Sequence, residues 1–340
     1  MKTFSVLVIG LGSMGKRRIR NLKALGVENI TGFDARTDRV SEVTDLYQIP
    51  CFANWNEALS KSNATAWIIS VPPKAHCFYM NLALTQSIPF FVEASVVDSG
   101  MKELIQLQSI KNTVAAPSCT LCFHPAIKII NECISSQRLG KISNVLYQMG
   151  NYLPDWHRYE KVSDFYVSDK ETGGAREIVP FELTWLTRIF GFPENCIATV
   201  KKTIEIEGAP DIDDTYNCLL DYSSFTLLLT VDVVSRFATR FLRIIASDGQ
   251  LEWDWNKNAV RIFNPQSETW EEIPYEIKSS ASGYNKNITE QMYIEELKAF
   301  MDSVTQGIPF PNSLEEDHQV LNLLYQLETS AQERRFLKLK

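Results

Sequence analysis

The chain has 340 residues, of which 45% are hydrophobic, so it can build two substantial cores and two domains are expected. Its net charge of −7 argues against a nucleic-acid partner. No apolar run approaches the roughly 20 residues that cross a membrane, and no targeting segment precedes the first strand, so a cytoplasmic protein is expected. Seven scattered cysteines fit no zinc spacing, which favours reduced thiols and no bound metal.

The first predicted elements form a dinucleotide-binding motif. A strand-like run, 4–9, leads into Gly10-x-Gly12-x-x-Gly15 and then directly into a helix. In this context Gly10 makes the tight turn, Gly12 lets a pyrophosphate approach the backbone, and Gly15 lets the helix pack closely on the strand. The basic residues that follow, Lys16, Arg17 and Arg18, are predicted to form a solvated helix face.

A second apolar strand, 30–33, ends in Asp34, which lies 19 residues after Gly15. An acid at about this spacing accepts hydrogen bonds from the ribose hydroxyls of an adenosine and repels a 2′-phosphate. The sequence therefore predicts NAD as the cofactor. Arg36 and Arg39 leave NADP possible.

Further apolar runs at 66–71, 90–92 and 113–116 alternate with helical segments, which is typical of a parallel sheet covered on both faces. Val71-Pro72-Pro73 closes one of these strands in an extended turn, at the edge where nucleotide sites form. We therefore predict an α/β Rossmann domain, a doubly wound parallel sheet, over residues 1–120.

After residue 140 the sequence becomes rich in β-forming residues, and one helix, 176–190, interrupts the series. The predicted strands there are 142–149, 197–206, 216–221, 226–234, 242–246, 251–255 and 260–263. This pattern predicts an α+β domain with a large, mostly antiparallel, open-faced sheet, which we assign to residues 121–312. The segments 290–305 and 313–335 return to helical periodicity, and Ser313-Leu-Glu-Glu316 is a capping box. Residues 313–340 are expected to pack back on the first domain.

The order of these elements resembles the Gfo/Idh/MocA family of sugar oxidoreductases along essentially the whole chain. The resemblance is carried by the glycine loop with Asp34, by 69–76 (Ile-Ser-Val-Pro-Pro-Lys-Ala-His), by 89–93 (Pro-Phe-Phe-Val-Glu), and by Gly173-Gly174. It implies a Rossmann domain plus an open-faced sheet, with the substrate lying over the nicotinamide between them. It also implies a pyridine-nucleotide enzyme acting on a sugar, cyclitol or sugar nucleotide.

The chain departs from the pattern of that family at two positions. The family usually has Glu-Lys-Pro where this chain has Glu93-Ala94-Ser95, so the lysine that assists proton transfer is missing. The family also has an acid and a histidine four residues apart after the double glycine; here Glu177 stands at the acid and Phe181 at the histidine. A register shifted by one would bring Glu182 to the histidine position.

Two residues are candidates for proton transfer in place of the missing pair. Glu177 lies one helical turn before position 181, on the same face, and is the first choice. His157, which titrates near neutrality, is the second; it lies in a loop, 151–160, that is rich in groups that bind sugars. The same loop also fits an ordinary surface loop with one buried tryptophan. The predicted substrate-binding residues are Trp156, Arg176, Glu182 and His124, the last of which also fits a cap of the following helix.

The predicted cofactor-binding residues combine the glycine loop, the ribose acid and the family-matched positions: Gly10, Gly12, Ser13, Met14, Gly15, Asp34, Arg36, Ser70, Pro72, His76 and Glu93. His76 also fits a packing or capping role.

The first functional hypothesis is an NAD-dependent oxidoreductase of a sugar or sugar nucleotide, which the resemblance places in bacterial surface-polysaccharide biosynthesis. An NAD-retaining epimerase or dehydratase and a non-catalytic cofactor-binding protein are the alternatives. The expected partners are the small-molecule substrate and further copies of the chain, in a homodimer or homotetramer.

Overall fold

The computed structural model describes residues 4–156, 161–277 and 289–339. The chain divides into two compact units, residues 1–120 with 290–319, and residues 121–289 with 320–340. The segment 290–312, which the sequence pattern assigned to the second domain, thus groups with the first unit. The last helix begins in the first unit and continues in the second.

The described residues contain nine α-helices: α1 (Ser13–Ala24), α2 (Thr37–Tyr47), α3 (Trp55–Ser62), α4 (His76–Thr85), α5 (Met101–Lys111), α6 (Pro125–Ser135), α7 (Ala175–Phe190), α8 (Glu290–Gln306) and α9 (Leu314–Glu333). They also contain fifteen strands: β1 (Ser5–Ile9), β2 (Asn29–Phe33), β3 (Cys51–Phe52), β4 (Ala66–Ile69), β5 (Phe90–Val92), β6 (Ala115–Pro117), β7 (Ile142–Tyr152), β8 (Asn195–Lys201), β9 (Thr215–Asp221), β10 (Thr226–Asp232), β11 (Val234–Ala246), β12 (Gly249–Asp254), β13 (Ala259–Asn264), β14 (Thr269–Pro274) and β15 (Leu337–Lys338).

The first unit is a doubly wound sheet of six strands in the order β3-β2-β1-β4-β5-β6, and all its pairings are parallel. The predicted Rossmann fold is confirmed. Strands β1, β4 and β5 are buried throughout because helices cover both faces, which explains their uninterrupted apolar sequences. Helix α8 adds Leu297 and Phe300 to this core.

The second unit contains a nine-stranded sheet in the order β14-β13-β12-β11-β7-β10-β9-β8-β15. Its pairings are antiparallel except between β7 and β10, so the predicted mostly antiparallel sheet is confirmed. Alternate residues of β9 and β10 are buried, and helix α7 packs on these two strands. The opposite face of the sheet is the more exposed one.

The exposed face of this sheet carries an ordered row of side chains, one from each of eight adjacent strands. The strand register aligns Ile197, Leu219, Leu228, Leu146, Arg243, Glu252, Arg261 and Glu272 in that order. Half of this outer row is therefore apolar, and the other half alternates in charge. Leu228 on central strand β10 is 41% exposed, which is unusual for a leucine in the middle of a sheet.

Candidate functional site

The glycine loop of the first unit lies at the topological switch point of its sheet, between β1 and β4. Gly10 has a φ of +92°, and a Cβ there would lie 2.5 Å from the Ser70 carbonyl oxygen. A Cβ on Gly15 would lie 1.8 Å from the Gly10 carbonyl oxygen, whereas a Cβ on Gly12 would meet only the Arg39 side chain, at 3.5 Å. Gly10 and Gly15 are thus required by the close packing of the backbone, whereas Gly12 leaves room for a ligand to approach the backbone.

Asp34 lies at the end of β2, next to this loop, and is buried. Its Oδ2 accepts from the Leu11 N–H at 2.8 Å and its Oδ1 from the Arg36 N–H at 2.9 Å. The Arg39 guanidinium lies 3.6 Å from Oδ2. The side chain of Arg36 turns away and pairs with Asp38, at 2.6 Å. The carboxylate is therefore fixed in place, and its charge disfavours a second anion such as a 2′-phosphate.

The amino end of α1 lies next to the glycine loop and is the third part of this candidate binding site. Ser13 and Met14 form its first turn, no side chain caps the helix, and Gly12 occupies the N-cap position. The first N–H groups of such a helix favour an anion. The glycines, this helix end and Asp34 together fit a dinucleotide whose pyrophosphate lies at Gly12 and whose ribose lies at Asp34.

Arg18 is fully buried, so the prediction of a solvated basic face is wrong for this residue, and Arg17 is buried too. The Arg18 guanidinium binds Glu93 through two hydrogen bonds, at 2.8 and 2.7 Å, and Glu296 at 2.8 Å. Burial alone would lower the pKa of Arg18, but the two carboxylates outweigh it and raise the pKa. Ser70 donates to Glu93 at 2.9 Å, so two predicted cofactor residues belong to this ion cluster.

Glu296 is the partner of Arg18 from helix α8, and it also accepts hydrogen bonds from the segment after β6. The Ser118 hydroxyl, the Cys119 N–H and the Thr120 hydroxyl bind its two oxygens at 2.7–2.9 Å. Sequence reasoning missed this residue because a glutamate in a helix ordinarily indicates a solvated position. The contacts tie α8 to the sheet of the first unit.

His76 is buried at the start of α4, beyond the turn that contains Pro72. Its Nε2 lies 2.9 Å from the Val71 carbonyl oxygen and its Nδ1 lies 3.4 Å from the Ser95 hydroxyl. Burial lowers the pKa of His76 to about 4, so the ring is neutral at pH 7. The ring thus lies between the turn that follows β4 and the segment that follows β5.

In the second unit, Glu177 lies in the first turn of α7 and is contacted by a residue that sequence reasoning missed. The Tyr166 hydroxyl donates to Glu177 Oε1 at 2.5 Å. The other oxygen, Oε2, is buried and has no hydrogen-bond partner among the described residues. Burial raises the pKa of Glu177 to about 7, although the bond from Tyr166 opposes the rise. A carboxyl group with these properties can exchange a proton near neutral pH.

Two further buried polar atoms without a described partner belong to the same part of the second unit: Asn151 Oδ1 and Trp156 Nε1. The two-residue period of β7 assigns Asn151 to the sheet face that α7 covers. The Ala175 N–H donates to the Asp213 carbonyl oxygen, just before β9 begins. The first residue of β9 pairs with the last residue of β10, which in turn pairs with Gly150 near the end of β7. The amino end of α7 and the carboxyl end of β7 therefore lie at one end of the sheet.

Glu182, a predicted substrate ligand, is fully buried and belongs to a different network. Its Oε2 accepts from the Tyr147 hydroxyl at 2.6 Å and from the Trp185 indole at 2.9 Å. Its Oε1 accepts twice from Arg240, at 3.0 and 2.8 Å. Both oxygens are thus used in joining α7 to the sheet, so we leave Glu182 out of the proposed substrate site.

His124 caps α6, since its Nδ1 accepts from the Ala126 N–H at 3.2 Å. Its ring packs on Trp253 and Tyr275. Burial, with Arg240 and Lys128 nearby, lowers the pKa of His124 to about 3, so the ring is neutral at pH 7 and, because Nδ1 accepts, keeps its one hydrogen on Nε2. These contacts account for a structural role.

Arg176 binds Glu328 of α9 at 2.6 Å, which joins α7 to α9 within the second unit. Phe181 follows Glu177 by one helical turn, at the position where the resemblance implies a histidine.

His157 lies outside the described residues. Three of the predicted substrate and catalytic residues have a buried polar atom that no described residue engages: Oε2 of Glu177, Nε1 of Trp156 and Nε2 of His124.

No described helix is long and apolar enough to cross a bilayer. The described residues also contain no group of three or more histidine, cysteine and acidic side chains that could hold a metal ion.

Residues 4–116 match the model of the family described as "Oxidoreductase family, NAD-binding Rossmann fold" (GFO_IDH_MocA). No curated protein was found to match the sequence. Among solved structures, the chain is similar to levoglucosan dehydrogenase in complex with NADH and levoglucosan, at 13% identity and a TM-score of 0.85, over 98% of this chain and 99% of that one.

Two bacterial structures are similar to the same extent. One is an oxidoreductase from Agrobacterium radiobacter in complex with NAD+, L-tartaric acid and magnesium, at 13% identity and a TM-score of 0.84, over 99% and 98% of the two chains. The other is an oxidoreductase domain protein from Kribbella flavida, at 14% identity and a TM-score of 0.85, over all of both chains. These likenesses show that the two-unit fold extends along the whole chain.

Proposed function

Because its first domain is the NAD-binding Rossmann fold of the Gfo/Idh/MocA oxidoreductase family, we propose that this protein is an NAD-dependent dehydrogenase or reductase that acts on a CH–OH group of a sugar. The glycine loop and Asp34 fit the cofactor, as described above. The levoglucosan bound in one similar structure supports a sugar-like substrate for this chain as well. A nucleotide-linked sugar and a role in surface-polysaccharide synthesis remain predictions.

The observation that carries the proposal is the state of Glu177. A carboxyl group that replaces a lysine and a histidine in proton transfer must titrate near the working pH and must present a free oxygen. The pKa of Glu177 is raised to about 7, and its Oε2 has no partner among the described residues. Both requirements are therefore met by one side chain.

Glu177 alone can accept the proton that oxidation of an alcohol releases. Oxidation of an alcohol removes a hydride from the carbon and a proton from the hydroxyl oxygen, and bound NAD would supply the acceptor of the hydride. We assign that proton to Glu177 Oε2, and the reverse reaction returns it. Asn151 Oδ1 and Trp156 Nε1, an acceptor and a donor, are available to bind neighbouring hydroxyl groups.

Replacing Glu177 by Gln tests the proposal, because the change keeps the size of the side chain and removes the base. We expect turnover to fall by roughly 10²–10⁴-fold while the affinity for NAD stays within a few-fold. In the parent protein, oxidation should require the ionised carboxylate, so kcat/KM should rise with pH through about 7. The assay follows nicotinamide absorbance with a panel of free sugars, acidic sugars and sugar nucleotides.

The matched control is Glu171→Gln, an exposed acid in the loop before the double glycine. Turnover of Glu177→Gln within a few-fold of the parent would end the assignment of this residue. Formation of product with no change in absorbance would instead indicate an enzyme that returns the hydride and retains NAD.

We also propose that the protein forms a homo-oligomer through the outer row of its nine-stranded sheet. One half of the row is apolar and contains three leucines, and an exposed apolar patch of this kind commonly marks an interface. Its alternating charges, Arg243, Glu252, Arg261 and Glu272, can pair with the same residues of a second copy related by a two-fold axis.

A further inference from the structure

We propose that Tyr166 is the positioning residue of the second unit, which holds Glu177 Oε1 so that Oε2 alone is left to exchange a proton with substrate. The inference rests on the proposed role of Glu177. It assigns a task to a residue that no sequence motif singles out.

The double glycine that opens α7 brings these two side chains together. A Cβ on Gly173 would lie 1.9 Å from the Val167 carbonyl oxygen, so only glycine allows the short 3₁₀ turn at Tyr166–Ser168 to lie against the start of the helix. The Gly174 N–H donates to that same oxygen at 3.0 Å, and the Thr172 hydroxyl donates to the Tyr166 carbonyl at 3.0 Å. The backbone of Tyr166 is thus fixed from two sides.

The other charged groups near Glu177 along the chain are engaged elsewhere. Arg176 is paired with Glu328, and Lys170 lies 4.0 Å from Asp213. Within the described residues, burial and the Tyr166 hydroxyl are therefore the two influences on the ionisation of Glu177. A hydrogen bond donated to a carboxylate stabilises its charged form, so Tyr166 keeps the base ionised at lower pH than burial alone would allow.

Tyr166→Phe removes the hydroxyl and keeps the ring. The titration of Glu177 is followed by NMR of ¹³C-labelled glutamate side chains in the protein without substrate, and Glu177→Gln identifies the resonance. We expect the midpoint to rise by about one pH unit, because a bond to a charged group is lost. The acid limb of kcat/KM should move upward by the same amount, so that activity lost at pH 7 is recovered at higher pH.

Tyr222→Phe is the matched control, since its hydroxyl binds the Gly191 carbonyl, away from Glu177. An unchanged midpoint in Tyr166→Phe overturns the inference, and so does loss of activity without a shift of the acid limb, which indicates a merely structural tyrosine. If the midpoint rises while Glu177→Gln retains turnover, the positioning role of Tyr166 stands and the proposed base does not.

Discussion

Two carboxyl groups of this protein, Glu177 and Asp317, have their pKa raised to about 7 by burial. Asp317 lies in the first turn of α9, and its Oδ2 has no partner in the described parts of the chain. Its neighbour His318 binds Asp98 at 3.0 Å. Glu177 has the role proposed above, whereas Asp317 has a consequence for stability.

We predict that the unfolding free energy falls as the pH rises from about 4 to about 7, because the unfolded chain loses the Asp317 proton before the folded chain does. Above that range the folded state contains a buried carboxylate whose Oδ2 has no hydrogen-bond partner among the described residues. Asp317→Asn should therefore stabilise the protein more at pH 8 than at pH 5. About three pKa units correspond to at most about 4 kcal/mol.

Urea unfolding at pH 5 and pH 8 measures this difference, with the exposed Glu315→Gln as the control from the same helical turn. An Asp317→Asn effect of equal size at the two pH values would show that ionisation of this group is not involved.

The sequence could predict Asp34 because its role depends on a spacing along the chain. It could predict Glu177 through the family position, but its buried state required the fold. It could not predict the burial of Arg18, which depends on contacts with residues far away along the chain. It could not predict the role of Tyr166 either, because this residue lies in a short irregular segment without a recognisable pattern. The sequence around Arg18 would look the same if its side chain were exposed to water, and it does not show that Glu93 and Glu296 bind this side chain.

At the scale of elements, the predicted α7 and the predicted strands of both units were found, because hydrophobic periodicity reports them directly. The two-residue strands β3 and β15 were missed, since they are too short to show a period. Strand β14 was also missed: its burial is low throughout, so it lacks the apolar alternation of its neighbours.

Helix α1 and its glycine loop offer a test of two different glycine roles. Gly15→Ala places a Cβ against the Gly10 carbonyl and should lower the melting temperature of the protein without NAD by several degrees. Gly12→Ala meets no backbone, so the melting temperature should stay nearly unchanged, but the affinity for NAD should fall at least about tenfold because the pyrophosphate loses its approach. Calorimetry measures both quantities.

The two variants are each other's control, because they lie in one loop and make the same chemical change. An unstable Gly12→Ala, or a Gly12→Ala that binds NAD like the parent, would contradict the assigned roles.

At the scale of the whole molecule, the outer row of the second sheet predicts self-association. Leu228→Asp places a charge in the apolar half of that row and should convert the oligomer to a species of 38.7 kDa in light scattering at low micromolar concentration. Ile110→Asp is the control, since Ile110 is 79% exposed on helix α5 of the other unit. A parent protein that is itself monomeric would refute the proposal.

The division of the first unit between two distant stretches of sequence has a consequence for how the protein is made. Residues up to 120 leave the ribosome first, but the carboxylate of Glu296 that completes the Arg18 cluster is translated 176 residues later. At about 5–20 residues per second, this interval is roughly 10–35 s. During that time the nascent Rossmann sheet lacks α8 and exposes apolar surface that α8 later covers, which makes it a natural client for a chaperone.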